Sequence, residues 1–441
     1  MHYLPVRRRW LRPVLIISLA VALLTGAGIL LGPLRDAPTR AVSLPGATTD
    51  LERYVQRTET HLTQVPGDWQ SWAQLGMAQV QLARLTSDPG HYPAAETALR
   101  RSLAAGPAEN AGALTGLGAL AAARHDFHRA LGYARRAVAA DSFSADAYGV
   151  LTDAYVELGR YPEATAAVQH MLDLRPDTGS FGRASYLFEL RGDTARATDL
   201  MRRALDVAAG PGDTVFALTH LGELALNAGD LDTATTHLTQ AFTAAAGAGQ
   251  PALLADRAKI SAARGDLASA VTDLRAATAI LPTVDHLVTL SDTLTAAGRT
   301  AEATTVDNLI RAGAHLPGTT PATTDIDLVL FYADHDDPSA AVAKGRALVK
   351  ARPSVTVETA YAWALHAAGR DREARTHADR GLRLGTRDAR AHYQRAMIRL
   401  ALGDRAGART DLATALTINP HFSLRYGAHA RAELARLDGA R

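Results

Sequence analysis

The chain has 441 residues, 5% of them aromatic, with 47 Lys or Arg against 45 Asp or Glu and no cysteine. The missing thiols exclude disulfides, thiol catalysis, Cys-ligated metals and a lipidated N-terminal Cys, and leave the redox compartment open. The formal charge of +2 averages two unlike parts: residues 1–35 hold five Arg and no acid, so the remainder carries 42 bases against 45 acids, with no basic excess for nucleic acid.

Residues 1–13 include Arg7, Arg8, Arg9 and Arg12 and read as a basic cytoplasmic N-terminus. Residues 14–34, VLIISLAVALLTGAGILLGPL, carry no charge. As a helix this stretch rises about 31 Å, close to the thickness of a bilayer's hydrocarbon core. The flanking arginines keep the N-terminus inside, so the body is expected beyond the cell membrane on a single-pass anchor. The alternative is a signal peptide cleaved at the small residues Thr25-Gly26-Ala27, giving a secreted protein; apolar sequence continuing to Leu34 argues against it. Residues 35–50, rich in Pro, Thr and Ala, read as a short tether.

The body repeats one phrase. Turn glycines stand at 159, 192, 229, 265, 298, 369 and 403, with gaps of 33 to 37 residues and one of two periods. Before each glycine runs an amphipathic stretch at helical spacing; Ala147, Val150, Leu151, Ala154, Tyr155 and Leu158 precede Gly159. After it comes Asp in many copies (Asp193, Asp230, Asp266, Asp404), placed to accept from the free amides of a second helix. That second helix carries Ala at 130, 164, 197, 234, 270, 303, 374 and 408, where only a methyl group lets two axes approach closely. Pro176, Pro282, Pro353 and Pro420 then close several units.

These residues resemble the tetratricopeptide repeat family. Trp72, Leu75 and Gly76, then Leu151, Tyr155, Ala164, Met171 and Pro176, and Leu221, Gly222, Ala225, Ala234, Leu238 and Ala241 fit its pattern. About ten units fall between Trp69 and Pro420. The resemblance implies an all-α, right-handed superhelical solenoid of about ten helix-turn-helix repeats, here preceded by one transmembrane helix. The array is expected over 51–311 and 325–420, two lobes parted by the loop 312–324, with 421–441 as capping helix and tail. The seventh and eighth units carry Asp307 and Gly345 where the family has a large apolar residue, so the stack is expected to be looser there.

Nothing in the array spells chemistry. Gly116–Ala121, GLGALA, imitates a dinucleotide fingerprint but sits mid-helix. None of the three lysines follows a phosphate-loop glycine, His125 and His128 have no carboxylate cluster beside them, and Asp334–Asp337, DHDD, reads as a solvated turn. No enzyme, cofactor or metal site is expected. The resemblance instead implies a concave groove that holds a partner protein or peptide. Its positions map onto Asp146, Asp153, Glu157, Tyr186, Glu189 and Glu223 in the middle repeats, and onto Trp363, His366 and Tyr393 in the last. Carboxylates beside aromatic anchors suit an extended basic segment. Three roles are open: a membrane-tethered adaptor without turnover, an accessory factor of an envelope maturation pathway, and a regulatory subunit of a cytoplasmic enzyme or transcription factor, which the anchor disfavours. The second arises because residues 51–85, one helix and one repeat, are similar to the opening of repeat domains in cytochrome c assembly proteins, and it stands as the alternative. The oligomeric state is left undetermined.

Overall fold

The computed structural model describes residues 47–439 other than 87, 108, 247–249, 315–325 and 336. The apolar stretch 14–34, its basic flank, most of the tether and most of the 312–324 loop lie outside the described residues. Among the described residues every regular element is an α-helix, and none is long and apolar enough to cross a membrane.

Helix α1 (Ala47–Gln64) leads into ten hairpins. The first five are α2 (Trp69–Thr86) with α3 (His91–Ala105), α4 (Ala111–Ala123) with α5 (Phe127–Ala140), α6 (Ala145–Glu157) with α7 (Tyr161–Leu174), α8 (Thr178–Glu189) with α9 (Thr194–Asp206), and α10 (Pro211–Asn227) with α11 (Leu231–Ala244). The next three are α12 (Pro251–Ala263) with α13 (Leu267–Ile280), α14 (Val284–Ala296) with α15 (Thr300–Gly313), and α16 (Ile326–Asp334) with α17 (Pro338–Ala351). The last two are α18 (Val355–Ala367) with α19 (Asp371–Gly381) and α20 (Ala389–Ala401) with α21 (Arg405–Ile418), before a final α22 (Gly427–Gly439).

The punctuation works as chemistry predicts. All seven turn glycines hold φ between 68° and 87°, the left-handed region where a Cβ is penalised. Asp193, Asp230, Asp266 and Asp404 each accept from the amide three residues on, at 2.9 to 3.1 Å. Each of the eight crossing alanines is at most 3% exposed. The fingerprint mimic lies inside α4, and its glycine has a packing reason: a Cβ on Gly116 would lie 2.2 Å from Leu99. In the seventh and eighth hairpins the missing bulk is replaced from elsewhere. Ser291 Oγ donates to Asp307 at 2.6 Å, and the Tyr361 ring of the next repeat fills the space beside Gly345.

Each hairpin buries the apolar face of its neighbour, as an open stack must. Leu287, Ile310, Phe331, Tyr361 and Leu365 share one core, so packing runs without a break past the 312–324 loop. At the far end α22 lays Ala430 and Leu437 into the cluster built by Trp363, Tyr393 and Leu412.

The superhelix also closes on itself. Arg352 Nη1 donates to Glu157 Oε2 at 2.9 Å, the Val355 amide donates to Tyr161 Oη at 2.8 Å, Thr386 Oγ1 donates to the Leu190 carbonyl, and Asn419 Nδ2 donates to the Leu226 carbonyl at 3.0 Å. The sequence separations are 195, 194, 196 and 193 residues. One relation recurs: the turns inside hairpins three, four and five seat against the loops that follow hairpins eight, nine and ten. Contact there is close. A Cβ on Gly159 would lie 2.6 Å from the Pro353 carbonyl oxygen, and one on Gly192 would lie 2.3 Å from that of Gly385.

Candidate partner channel

The first helix of each hairpin supplies the inner wall. Counting back six residues from the turn glycine gives Asp153, Tyr186, Glu223, Lys259, Asp292 and Trp363 at one helical register. Three residues earlier stand His220 and Asp256. Since the repeats stack with a small rotation, side chains at one register meet their counterparts one repeat away, and the pattern of charges along that ring decides what the wall can hold.

At the third and fourth hairpins the wall is neutralised by the chain's own arginines. Asp146 accepts from Arg175, and Asp153 accepts from Arg183 Nε and Nη2, both at 2.9 Å. The Arg183 side chain is 3% exposed, and Glu157 and Arg352 at the seam are 9% and 7% exposed. These three carboxylates, expected from the sequence to face a partner, are each engaged in an internal pair, and Arg175 also pairs with Asp177.

The aromatic anchors are likewise engaged. Trp363 Nε1 donates to Asp334 Oδ1 at 2.6 Å, Tyr426 donates its hydroxyl to the same oxygen at 2.5 Å, and Arg390 Nη2 donates to Asp334 Oδ2 at 3.0 Å. The Asp334 side chain is 4% exposed. The expectation of a solvated turn is therefore overturned at Asp334, which joins three repeat elements and the irregular segment before α22, while Asp337 is exposed. Tyr393 is 2% exposed, with its hydroxyl 3.0 Å from His429 Nδ1, and His366 pairs with Asp371.

The irregular segment 419–426 lies along the inner wall of the later repeats. Arg425 Nε donates to Asp292 Oδ1 at 3.0 Å, its Nη1 donates to the Asp334 carbonyl at 3.2 Å, and its Nη2 lies 2.8 Å from His335 Nε2. An arginine from a non-helical stretch thus occupies the ring register at Asp292.

Between hairpins four and six the balance is different. A cavity of about 120 Å³ is lined by Ser185, Glu189, His220, Glu223, Asn227, Asp256 and Lys259. It shares Glu189, Leu224 and Asn227 with a second cavity of about 290 Å³ at the seam, where Tyr186, Thr356, Arg387, Asp388 and Arg390 complete the wall. His220 Nδ1 is 2.5 Å from Glu223 Oε2, and Lys259 Nζ donates to Asp256 Oδ1 at 3.2 Å while lying 3.9 Å from Asp285 Oδ2. Burial, then the charge of Glu223, pushes Glu189 up to about 7. Burial likewise lifts Asp256 to about 7 against the pull of Lys259. Burial opposes the charged imidazole of His220, but Glu223 outweighs it and raises the group. The two predicted positions Glu189 and Glu223 come together here, with Tyr186 in the adjoining cavity. The sequence reading missed His220, Asp256 and Lys259. Two signals were available: His220 and Asp256 share one register one repeat apart, and Lys259 is one of three lysines in an otherwise arginine-based chain.

Among the described residues no three His, Asp or Glu side chains converge on a common metal position. Two tetratricopeptide repeat family models match, one over residues 150–214 and the other over 389–422. The solved structure of TTC0263, a thermophilic TPR protein of Thermus thermophilus, is similar at 24% identity over 44% of this chain and 97% of its own, with a TM-score of 0.37. The P58(IPK) TPR domain is similar at 17% identity over 74% of this chain and 99% of its own, with a TM-score of 0.23. Yeast Tom70 is similar at 11% identity over 91% of this chain and 96% of its own, with a TM-score of 0.37. No curated protein sequence matches. The chain carries tetratricopeptide repeats, a fold that generally mediates protein–protein interaction and is typically non-catalytic.

Proposed function

We propose that the protein is a non-catalytic scaffold that receives an extended, basic segment of a partner protein along the inner wall of its superhelix. In this reading residues 14–34 hold it in the cell membrane and the repeats stand on the extracytoplasmic side. The observation that carries it is Arg425 on Asp292: a non-helical, arginine-bearing stretch lies in the channel and is bound by a carboxylate of the ring register. A partner segment of the same chemistry meets Glu189, Glu223 and Asp256 on the adjoining repeats, where the chain supplies fewer cations than carboxylates.

A photo-crosslinking residue in place of Tyr186, on the channel, and another in place of Thr272, exposed on the outer helix α13, test the reading in intact cells. A defined protein adduct from position 186 and none from 272 is expected, in the membrane fraction. Equal labelling from both, or no adduct from 186, overturns the scaffold. Recovery of the intact chain in the soluble fraction, or a cytoplasmic signal from a topology reporter fused after Arg441, overturns its placement.

A further inference from the structure

The chamber between α8, α10 and α12 has a chemical preference of its own. Its walls carry Glu189 from α8, Glu223 from α10 and Asp256 from α12, with Asp285 of α14 behind. Against these four carboxylates stand one lysine, Lys259, and one histidine, His220. Pairing does not balance them. His220 is taken by Glu223, and Lys259 is shared between Asp256 Oδ1 and Asp285. Asp256 is 4% exposed, and its other oxygen, Oδ2, has no hydrogen-bond donor. A buried carboxylate oxygen without a donor is costly unless something else brings one. Across the seam Asp388 adds a further negative charge beside Glu189, while Arg387 and Arg390 line the adjoining cavity.

We propose that this chamber takes a single ammonium or guanidinium side chain from the partner segment, seated between Glu189 and Asp256. The proposal rests on the scaffold reading above and specifies where that segment is anchored. Two features of the molecule support it. The same inner wall already binds a guanidinium: Asp292, at the register of Glu223 and Lys259 and one repeat beyond Lys259, holds Arg425. The carboxyls themselves register the enclosed site: burial above all lifts both Glu189 and Asp256 to about 7, with Glu223 raising both, His220 and a hydrogen bond from Asn227 lowering Glu189, and Lys259 lowering Asp256. At neutral pH each is therefore partly protonated, and a cation that enters displaces those protons into solvent.

The test uses the purified full-length chain in detergent and three acetylated, amidated pentapeptides, Ala-Ala-X-Ala-Ala, with X as Lys, Arg or norleucine. Isothermal titration at pH 7 is run in phosphate and in Tris, whose ionisation heats differ, so proton release is read directly. The Lys or Arg peptide is expected to bind at least about tenfold more tightly than the norleucine peptide, as a charge-assisted hydrogen bond allows. It is expected to release a proton on binding. The double substitution Glu189→Gln and Asp256→Asn keeps the shapes, removes both charges and is expected to abolish preference and proton release with helicity retained by circular dichroism. Equal binding of the norleucine peptide, or an undiminished preference in the double variant, overturns the proposal. Loss of the Tyr186 adduct from the parent chain sinks the scaffold itself; an adduct that persists in the double variant sinks only the anchoring chamber.

Discussion

Arg352 and Glu157 are 195 residues apart and form a buried ion pair, with Nη1 2.9 Å from Oε2. Each comes from a different turn of the superhelix, so the pair exists only if the array closes. Removing one partner strands the other charge in a site that excludes water, which costs about 3–5 kcal/mol. Arg352→Met or Glu157→Gln is therefore expected to open the seam first, with the hairpins still folded. Small-angle scattering should report a longer particle, and hydrogen exchange should rise in 158–160 and 352–355 before it rises elsewhere. The double variant should recover part of the loss, because it leaves no unpaired charge. An unchanged particle length in both single variants would contradict the seam.

Turn glycines provide an internal comparison. Gly192 and Gly265 both hold positive φ, 70° and 87°, so Ala costs each about 1 kcal/mol from backbone strain. Only Gly192 faces the seam, where the added methyl would lie 2.3 Å from the Gly385 carbonyl oxygen; nothing lies within 4 Å of a Cβ on Gly265. Gly192→Ala is expected to cost roughly 1–3 kcal/mol more than Gly265→Ala, the range for forcing extra volume into a packed contact. Chemical denaturation of the two variants side by side measures the difference; equal midpoints would mean that the turns of the superhelix do not touch in solution.

The contrast between these two glycines also shows what the sequence could reveal. Positive φ, the aspartate caps and the crossing alanines are dictated within one repeat, by residues at most a few tens of positions apart. Nearest-neighbour physics therefore made the hairpins readable one by one. The seam depends on the rotation accumulated over about five and a half repeats, a small angle multiplied many times, and no periodic residue announces it. The candidate site suffered from the same blindness. Asp153 and Glu157 have the right register for a groove, yet Arg183 from the next repeat and Arg352 from the next superhelical turn had claimed them. Asp334 looked like a polar turn because its partners Trp363 and Tyr426 lie 29 and 92 residues downstream.

Stability should carry the mark of the acidic chamber. Glu189 is pushed up to about 7 in the folded chain from an ordinary value of 4.5. Between those values the folded state binds more protons than the unfolded state, so stability is greatest below about pH 4.5 as far as this group is concerned. It falls as pH rises, and levels off above 7. Asp256 acts in the same direction from its ordinary 3.8. Glu189→Gln is expected to remove its share of the slope and to leave the variant more stable than the parent at pH 8, by on the order of 2 kcal/mol. Urea midpoints at pH 5 and pH 8 check both the sign and the gain. A parent chain whose stability rises over that interval while the variant's stays flat would place Glu189 in a different environment.

Asp334 offers the sharpest test of how the C-terminal end is held. Its two oxygens accept from Trp363 of α18, Arg390 of α20 and Tyr426 of the segment that leads into α22. Asp334→Ala removes a common acceptor from three donors in a largely buried position, and leaves the Arg390 guanidinium without its carboxylate. Each stranded neutral donor costs about 1–3 kcal/mol, and a stranded charge costs more. The neighbours share the loss unequally: Trp363 is fixed in a helix by its packing, whereas Tyr426 sits in an irregular stretch held by its ring contacts with Tyr393 and Trp363 and by the bonds of Arg425 beside it. The expected result is therefore release of 421–439 with the hairpins intact. It should be seen as rapid hydrogen exchange across α22 and a red shift of tryptophan emission as Trp363 meets water. Asp334→Asn keeps an acceptor oxygen for Trp363 or Tyr426 and should release α22 less readily than Ala. Slow exchange across α22 in the Ala variant would show that Ala430 and Leu437 hold the cap by apolar packing alone.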